Sequence, residues 1–238
     1  QGVASAAKGL EPGSGKLAHE VIGEILGDGV GIARSIAVIS GPTFAKELGL
    51  GLPTAVTVAS NDPAFAERMA LRFHGDGFRA YTSTDLVGVE IGGAAKNVLA
   101  IAVGIADGLG LGANTRAAMI TRGLNEITRL AIALGADGET LMGMAGLGDL
   151  VLTCTDNQSR NRRYGIQLGQ GATPEQAKAS IDGVVEGVRA APEVLRVAHA
   201  HGVDLPLLEM AGAVIAGQVS PIEALKRLAE RPLRAEVG

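Results

Sequence analysis

The sequence predicts an α/β fold joined to an all-α fold, in which half of a doubly wound sheet is followed by a helical domain. Over the first part of the chain, short apolar runs alternate with segments of helical spacing, as in strand–helix–strand units. Beyond residue 85 the pattern is helical throughout. The chain has 35 glycines but only two Tyr, four Phe and no Trp among 238 residues. Small and aliphatic side chains must therefore fill the interior, which favours closely packed helices.

Four strands are predicted in the first part. They cover residues 3–7, 36–40, 54–59 and 78–82. The second is an uninterrupted apolar run bounded by Gly-Pro, which is typical of a strand buried on both faces, and we interpret the first strand in the same way. The connecting helices are predicted over residues 17–26, 44–48 and 64–73. A glycine-rich segment covers 27–31, and Pro42 stands where the second helix is expected to begin.

The second part is predicted to be entirely helical. Two long helices cover 87–106 and 116–134, with apolar residues at three- and four-residue steps. Shorter helices are predicted over residues 139–142, 147–154, 160–168, 174–180, 186–199, 207–216 and 221–229. The segments 173–176 and 220–223 have the pattern of capping boxes with Pro at the first helical position. Because the pattern changes near residues 83–90, we expect one domain over 1–87 and another over 88–238.

Composition and charge exclude several classes of protein. A net charge of −4 with so few aromatic rings argues against nucleic-acid binding. The longest charge-free stretch, residues 48–61, contains a proline and is too short for a membrane helix, so we expect no membrane span. The single cysteine suits a reducing, cytoplasmic compartment, and no Cys/His pair has metal-ligand spacing, so we expect no metal.

Two segments place polar groups next to apolar ones. Residues 41–47, Gly-Pro-Thr-Phe-Ala-Lys-Glu, follow a buried strand, so helical amides and the Thr43 hydroxyl could bind an anion; a turn capped locally by Thr43 is the alternative. Lys96 lies in a mostly apolar helix, where its stem leans over Gly92 and Gly93. Because these glycines have no side chains, another group can approach the helix closely at this point. Apolar surroundings lower the pKa of an amine. Alternatively, Lys96 reaches water and the glycines serve helix packing alone.

Two further segments carry charges in unusual settings. Asp149 stands in an apolar run, where a carboxylate needs a cationic partner; Lys96 or Lys8 would serve, and a helix N-cap is the alternative. Residues 155–165 hold three arginines among Asn, Gln and Ser donors. The arginines are Arg160, Arg162 and Arg163. Guanidinium groups match phosphate oxygens in a bidentate manner, so the segment predicts a phosphate site, with a solvated basic helix face as the alternative.

In this order the segments resemble the bacterial NAD(P)-dependent sn-glycerol-3-phosphate dehydrogenase family. The resemblance is carried along nearly the whole chain by Lys8-Gly9, residues 41–47, Gly93-Ala-Ala-Lys-Asn97, Gly146-Leu-Gly-Asp-Leu150 and Asn157-Gln-Ser-Arg-Asn161. It implies a partial Rossmann-type sheet followed by a helical domain of the 6-phosphogluconate dehydrogenase type. It also implies that the chain starts downstream of the glycine-rich turn that holds the cofactor pyrophosphate in that family.

The resemblance further implies an activity. Dihydroxyacetone phosphate and sn-glycerol 3-phosphate would be interconverted by direct hydride transfer with NAD(P)H and without a metal, for glycerophospholipid synthesis. Lys96 would be the catalytic acid/base, and Asp149 would orient it. The residues implied in substrate binding are Lys8, Gly41, Thr43, Lys96, Asp149, Ser159, Arg160 and Asn161. Those implied in cofactor binding are Lys8, Ala45, Arg160, Val184 and Glu186.

Two other functions stay open at the level of the sequence. A related β-hydroxyacid-type dehydrogenase would share the lysine–asparagine helix but act on a carboxylate substrate. A truncated, non-catalytic helical module would only dimerise or bind a partner. The partner that the resemblance implies is a small phosphorylated three-carbon substrate, and a homodimer is left open.

Overall fold

The computed structural model describes residues 2–27, 34–75 and 77–232 of the chain. Its first part contains a four-stranded sheet in the order β1-β2-β3-β4. The strands are β1 (Gly2–Ser5), β2 (Ser35–Ser40), β3 (Thr54–Ser60) and β4 (Phe78–Ser83). All four predicted strands are present, which confirms the partial sheet.

The prediction of a buried first strand is wrong. β1 stops at Ser5, and its residues alternate between exposed and half-buried. Among the described strands β1 pairs only with β2, in parallel register from Gly2 opposite Ser35 to Ser5 opposite Val38. An edge strand is covered on fewer sides than an inner one, whereas β2 lies inside the sheet and is largely buried, as predicted.

The sheet is mixed, because the chain reverses between its second and third strands. β2 runs antiparallel to β3, with Ala37 opposite Ser60, while β1–β2 and β3–β4 are parallel pairs. The connection contains only the five-residue helix α2 (Ala45–Gly49). Such a helix is about 7 Å long, whereas a six-residue strand spans about 20 Å, so α2 cannot cross the sheet. The simple strand–crossover–strand pattern therefore fails at this connection.

The other two connecting helices are α1 (Ala18–Gly27) and α3 (Pro63–Phe73), close to their predicted bounds. The α3 helix is capped by Asp62, whose carboxylate accepts a hydrogen bond from the Ala64 amide. The glycine-rich segment predicted after α1 falls outside the described residues from position 28 onward. Pro42 does not begin a helix: α2 starts at Ala45, with Phe44 at its N-cap and no side-chain cap bond.

Eight helices follow in the second part among the described residues. They are α4 (Leu86–Gly108), α5 (Gly112–Ala133), α6 (Asp149–Thr155), α7 (Arg160–Gly169), α8 (Pro174–Ala179), α9 (Glu186–Ala200), α10 (Pro206–Ile215) and α11 (Pro221–Ala229). The short helix predicted at 139–142 is a 3₁₀ turn, Gly138–Met142, and a π turn, Met144–Gly148, leads into α6. This order of a sheet and then helices confirms the predicted fold class.

The two predicted capping boxes differ in outcome. At Thr173 both bonds form, because its hydroxyl accepts from the Gln176 amide while the Gln176 side chain accepts from the Thr173 amide. At Ser220 only the hydroxyl bond to the Glu223 amide is present. The Glu223 carboxylate pairs instead with Arg227 one turn further on, at 3.0 Å, so this box is half formed.

Helix α4 is the axis of the helical part. It packs against α5, α7, α9 and α10, and its side chains are buried along almost the whole length. It is also long and apolar enough to cross a membrane, which the charge-free criterion missed because Glu90 and Lys96 interrupt the run. Within the protein, 89% of its apolar window is buried, so that surface is occupied by packing against other helices.

Glycines allow α4 and α7 to touch backbone to backbone. The four glycines are Gly104 and Gly108 on α4 and Gly165 and Gly169 on α7. A Cβ atom at Gly104 would lie 2.2 Å from the carbonyl oxygen of Arg162, and one at Gly165 would lie 2.1 Å from that of Ile101. Neither distance accommodates a methyl group, so this contact accounts for part of the high glycine content.

We predict that Gly165→Ala lowers the free energy of unfolding by about 1–3 kcal/mol, since the methyl group would force α7 away from the α4 backbone. Urea denaturation of the purified chain measures this. Gly49→Ala is the matched control, because a Cβ atom there meets nothing within 4 Å and the residue is helical. Its stability should be unchanged or slightly higher. Equal stability of the two variants would contradict the packing account.

Candidate active site

A buried carboxylate joins the two parts of the chain. Asp149, the first residue of α6, is 1% exposed and lies between two lysines. Its Oδ2 accepts a hydrogen bond from Lys8 Nζ at 2.7 Å, and its Oδ1 accepts one from Lys96 Nζ. Lys8 follows β1 and Lys96 belongs to α4, so one carboxylate ties the sheet to the helices. The predicted cationic partner is found twice, and the N-cap alternative does not apply.

Each lysine has a second hydrogen bond that fixes its direction. Lys8 Nζ also donates to the carbonyl oxygen of Gly41, at 3.1 Å. Lys96 Nζ donates to Thr153 Oγ1 at 3.0 Å, and the Thr153 hydroxyl donates to the Asp149 carbonyl oxygen at 2.6 Å. Thr153 is not among the residues predicted from the sequence, although its place one helical turn after Asp149 was a usable signal.

Burial changes the acid–base behaviour of Lys96. The residue is 6% exposed, and its removal from water lowers the pKa from 10.5 to about 8. The Asp149 carboxylate opposes this effect, and the nearby charge of Lys8 adds to it. An amine with a pKa near 8 has both protonation states accessible close to neutral pH, as a general acid/base requires.

The close approach predicted at Gly92 and Gly93 is real, but the groups that approach belong to the protein itself. A Cβ atom at Gly93 would lie 3.4 Å from Lys8 Cγ, so this glycine leaves room for the lysine stem. A Cβ atom at Gly92 would lie 2.9 Å from the carbonyl oxygen of Ala145, in the π turn before α6. The packing alternative is thus correct for Gly92, and Gly93 brings Lys8 next to α4.

These groups surround a cleft of about 340 Å³ between the sheet and the helices. On the sheet side it is lined by Ala6, Ala7, Lys8, Thr43, Phe44 and Ala45. On the helical side it is lined by Lys96, Asn97, Thr153, Gln158, Ser159, Arg160, Asn161, Val184 and Glu186. Of the substrate and cofactor residues implied by the family resemblance, Gly41 and Asp149 do not line the cleft, and both accept hydrogen bonds from Lys8, which does. The structure therefore brings this set of predicted residues together at one cleft.

The three arginines predicted to form one phosphate site lie in three different places. Arg160, at the start of α7, lines the cleft. Arg162 is buried and forms an ion pair with Asp107 at 2.6 Å, outside the cleft. Arg163 is exposed and lines a separate surface depression. A single cage containing all three guanidinium groups is wrong, because successive residues of a helix point about 100° apart.

An amide network connects three helices at the floor of the cleft. Asn161 Nδ2 donates to Asn97 Oδ1 at 2.9 Å, and Asn97 Nδ2 donates to Glu186 Oε2 at 3.2 Å. The side-chain oxygen Oδ1 of Asn161 in turn accepts from the Gly187 amide at 2.9 Å. Asn97 was not among the predicted binding residues, although an amide beside Lys96 on an apolar helix was a visible signal. The network fixes α4, α7 and α9 around the cleft.

The wall of the cleft on the sheet side, around Thr43, is a turn and not a helix N-terminus. The Thr43 hydroxyl donates to the Gly41 carbonyl oxygen at 3.1 Å, which is the local capping alternative. The five residues of α2 give only a weak dipole, so the helix-dipole argument for this segment fails. The walls meet where Gln158 Nε2 donates to Glu47 Oε1 at 2.8 Å. Thr43 and Ala45 nevertheless line the cleft.

The fold and the cleft together indicate an enzyme that transfers a proton to or from a small anionic substrate. A lysine with a pKa near 8, held by a buried carboxylate and facing the same cleft as a guanidinium, suits proton transfer on a small anionic substrate. Within the described ranges no group of three or more His, Cys, Asp and Glu side chains is placed to hold a metal ion.

Comparisons with known proteins agree with this class. Residues 1–66 match the family described as NAD-dependent glycerol-3-phosphate dehydrogenase N-terminus, and residues 85–226 match its C-terminus counterpart. Glycerol-3-phosphate dehydrogenase [NAD(P)+] of Stenotrophomonas maltophilia (strain K279a) is 55% identical over 235 residues, which cover 99% of this chain and 68% of that protein. The enzyme of the same name from Halorhodospira halophila is 54% identical, over 97% of this chain and 68% of that protein.

A solved structure of a glycerol-3-phosphate dehydrogenase also matches the fold of this chain. The crystal structure of glycerol-3-phosphate dehydrogenase from Coxiella burnetii has 46% sequence identity and a TM-score of 0.91, over 97% of this chain and 69% of that one. The chain therefore belongs to the NAD-dependent glycerol-3-phosphate dehydrogenase family and is an oxidoreductase of that type. This confirms the resemblance seen in the sequence.

We predict that Asp149→Asn lowers the pKa of Lys96 below its value of about 8, because burial and the Lys8 charge would then act without an opposing carboxylate. Acetylation of Lys96 by acetic anhydride, followed by mass spectrometry across a pH series, measures the midpoint. Lys178, exposed on α8, serves as the internal reference, and circular dichroism verifies folding. A midpoint at or above that of the parent chain would contradict the account.

Proposed function

We propose that the cleft interconverts dihydroxyacetone phosphate and sn-glycerol 3-phosphate by direct hydride exchange with a nicotinamide cofactor, for glycerophospholipid synthesis. The observation that carries the proposal is that Lys96 and Arg160 face one cleft of about 340 Å³. An amine can exchange a proton with the oxygen at C2, while a guanidinium binds the phosphate at the other end of the same molecule. Family membership supports the reaction class, and the relatives' names support the substrate.

Lys96 is the proton donor and acceptor in this proposal. When the ketone is reduced, negative charge develops on the C2 oxygen, and protonated Lys96 neutralises it by giving up a proton. In the opposite direction the neutral amine takes the proton of the C2 hydroxyl. Asp149 keeps the amine directed and holds the charge of its protonated form through the bond to Oδ1. Thr153 restricts the amine further, through its bond at 3.0 Å.

The phosphate lies at the end of the cleft formed by the start of α7. Arg160 supplies the guanidinium, with Ser159 and Asn161 on either side of it along the chain. The remaining proposed substrate contacts are Lys8, Thr43 and Lys96. Gly41 and Asp149, also implied by the resemblance, act through their hydrogen bonds to these lysines. Phosphate binding at a distance from the reacting carbon aligns the carbonyl group, which is how remote binding energy assists a reaction.

The nicotinamide ring, when bound, supplies or accepts the hydride. The residues at the cleft rim fit such a group: Val184 is 44% exposed although apolar, and Ala45 is exposed on the facing wall. These side chains offer apolar contact to a flat ring, and the Glu186 carboxylate offers an acceptor to a carboxamide. We assign cofactor contacts to Lys8, Ala45, Arg160, Val184 and Glu186, with either NADH or NADPH as the donor and no metal.

The proposal extends to the organisation of the protein. We divide the chain into a dinucleotide-binding part over 1–87 and a helical substrate part over 88–238, a cytoplasmic location being in keeping with a small phosphorylated substrate. We also propose a homodimer, which the sequence left open. Family membership favours this function over a β-hydroxyacid-type dehydrogenase and over a non-catalytic module.

Lys96→Ala should lower kcat for dihydroxyacetone phosphate reduction by about 10²–10⁴-fold, the usual contribution of a general acid. In the parent enzyme, reduction should slow as pH rises through about 8, whereas oxidation of glycerol 3-phosphate should accelerate over the same range. Oxidation of NADH or NADPH by the natural gene product measures the first rate, and reduction of NAD+ or NADP+ measures the second. Lys178→Ala is the control, and near-parental turnover in Lys96→Ala would refute the assigned role.

Arg160→Gln should raise KM for dihydroxyacetone phosphate by about 10–100-fold, the equivalent of one hydrogen bond to a charged group. KM for unphosphorylated dihydroxyacetone, measured at saturating cofactor, should change little, because that substrate has no group for the guanidinium to bind. Arg163→Gln, an exposed arginine outside the cleft, is the matched control. Equal losses on both substrates would show that Arg160 does not act on the phosphate.

A further inference from the structure

We propose that Arg162 and Asn157 form a positioning pair for the phosphate end of the cleft. The buried guanidinium of Arg162 is anchored on Asp107 and holds the loop at residues 156–159, and the loop in turn places Arg160. The inference rests on the proposed function, because it assumes that Arg160 binds the substrate phosphate. It assigns a role to two residues that sequence reasoning had placed in the phosphate site itself.

The anchor is a buried ion pair at the end of α4. Asp107 is 8% exposed in its side chain, and its Oδ2 accepts from the terminal nitrogen Nη2 of Arg162 at 2.6 Å. The other carboxylate oxygen, Oδ1, accepts from Arg116 Nε on α5 at 2.9 Å. A carboxylate held by two guanidinium groups has little freedom to rotate. Asp107 therefore gives Arg162 a fixed point on α4.

The second terminal nitrogen of Arg162 carries the constraint to the loop. Nη1 donates to the side-chain oxygen of Asn157, which is an exposed residue at the tip of the four-residue connection between α6 and α7. Within the connection, the Asp156 carbonyl oxygen accepts from the Ser159 amide at 3.2 Å, and its carboxylate accepts from the Gln158 amide at 2.7 Å. The loop is thus a compact turn that is held in place by the buried side chain of Arg162.

The hydrogen bond between Arg162 and Asn157 lies next to the start of α7. Ser159 caps α7 by accepting the Arg162 amide at 3.2 Å, and Arg160 is the first residue of the helix. The Arg162 backbone also lies against Gly104, so both its main chain and its side chain are fixed on α4. Asp107 is about 16 Å along α4 from Lys96, too far to touch the reacting carbon. The pair therefore acts through Arg160 and not on the substrate.

Arg163 shows that a basic side chain at the start of α7 does not by itself bridge α4 and the loop. Arg163 follows Arg162 in the sequence, yet it is exposed and lines a depression on the outer surface. Arg162 is 9% exposed in its side chain and bridges two elements. The two arginines form a natural comparison, because they share charge, size and helix but differ in partners.

Two substitutions break the same bond from opposite sides. Asn157→Ala removes the loop acceptor and leaves the Asp107 ion pair in place. Arg162→Lys keeps a charge for Asp107, but an ammonium group lacks the fork that reaches both partners at once. Each variant of the natural gene product should show KM for dihydroxyacetone phosphate raised about tenfold, with kcat within twofold of the parent, because a displaced Arg160 weakens phosphate binding equally in the ground state and the transition state. Arg163→Lys, the matched control, should leave both parameters unchanged.

The double variant decides between positioning and general loss of structure. If Asn157 and Arg162 act through their shared bond, Asn157→Ala combined with Arg162→Lys should raise KM no more than the larger single change. Independent roles would instead multiply the two effects to about a hundredfold. Thermal unfolding is recorded in parallel, and Asn157→Ala should melt close to the parent, because residue 157 is exposed.

The outcomes separate this inference from the proposed function. A parent protein that reduces dihydroxyacetone phosphate, together with an Asn157→Ala variant of unchanged KM, would overturn the inference alone. A fall in kcat at constant KM would also overturn it, because misplacement of the phosphate site predicts the opposite. A parent that neither turns over dihydroxyacetone phosphate nor binds glycerol 3-phosphate in calorimetry would overturn the proposed function, and this inference with it.

Discussion

The carboxylate of Asp149, buried between two lysines, is the interaction on which the rest of the site depends. It is 1% exposed and contacts one ammonium group after β1 and another on α4. Charges removed from water are costly unless they are paired and hydrogen-bonded, so the three groups must stay together. Because they come from different parts of the chain, the pairing fixes how the sheet meets the helices. The same pairing leaves Lys96 at the edge of the cleft.

The helix that carries Lys96 is also the centre of the protein's packing. Two glycines of α4 allow the helix to serve both the site and the packing. Gly93 leaves room for the Lys8 stem, and Gly104 allows α7 to approach backbone to backbone. A helix packed so closely holds its polar side chains in single positions. Packing thus supplies the rigidity that a proton-transferring amine requires, and burial supplies the lowered pKa.

Sequence periodicity predicted the four strands and the helices α1 to α11 of the described residues, because the spacing of apolar residues differs between strands and helices. The π turn Met144–Gly148 was not predicted. Periodicity also did not predict the reversal between β2 and β3, since the direction of a strand depends on the length of its connection and not on its own residues. Likewise, the burial of β1 depends on its neighbours in the sheet, which a single apolar run does not reveal.

For the site, the charged residues in apolar runs were the reliable signal. Asp149 and Lys96 were paired correctly because a buried charge needs an opposite charge. The arginine cluster was misassigned as a unit, since only helical phase separates a cleft residue from one that faces Asp107. Thr153 and Asn97 were missed because a neutral side chain on a helix gives no charge signal, although each lies beside a predicted residue.

The most direct measurement is a crystal structure of the protein with sn-glycerol 3-phosphate bound. The account requires one molecule in the cleft, with its C2 hydroxyl within hydrogen-bond distance of Lys96 Nζ and its phosphate against Arg160. A ligand bound elsewhere, or one oriented with its phosphate on Lys96 and its hydroxyls toward α7, would contradict the central claim that the amine and the guanidinium act on opposite ends of one substrate.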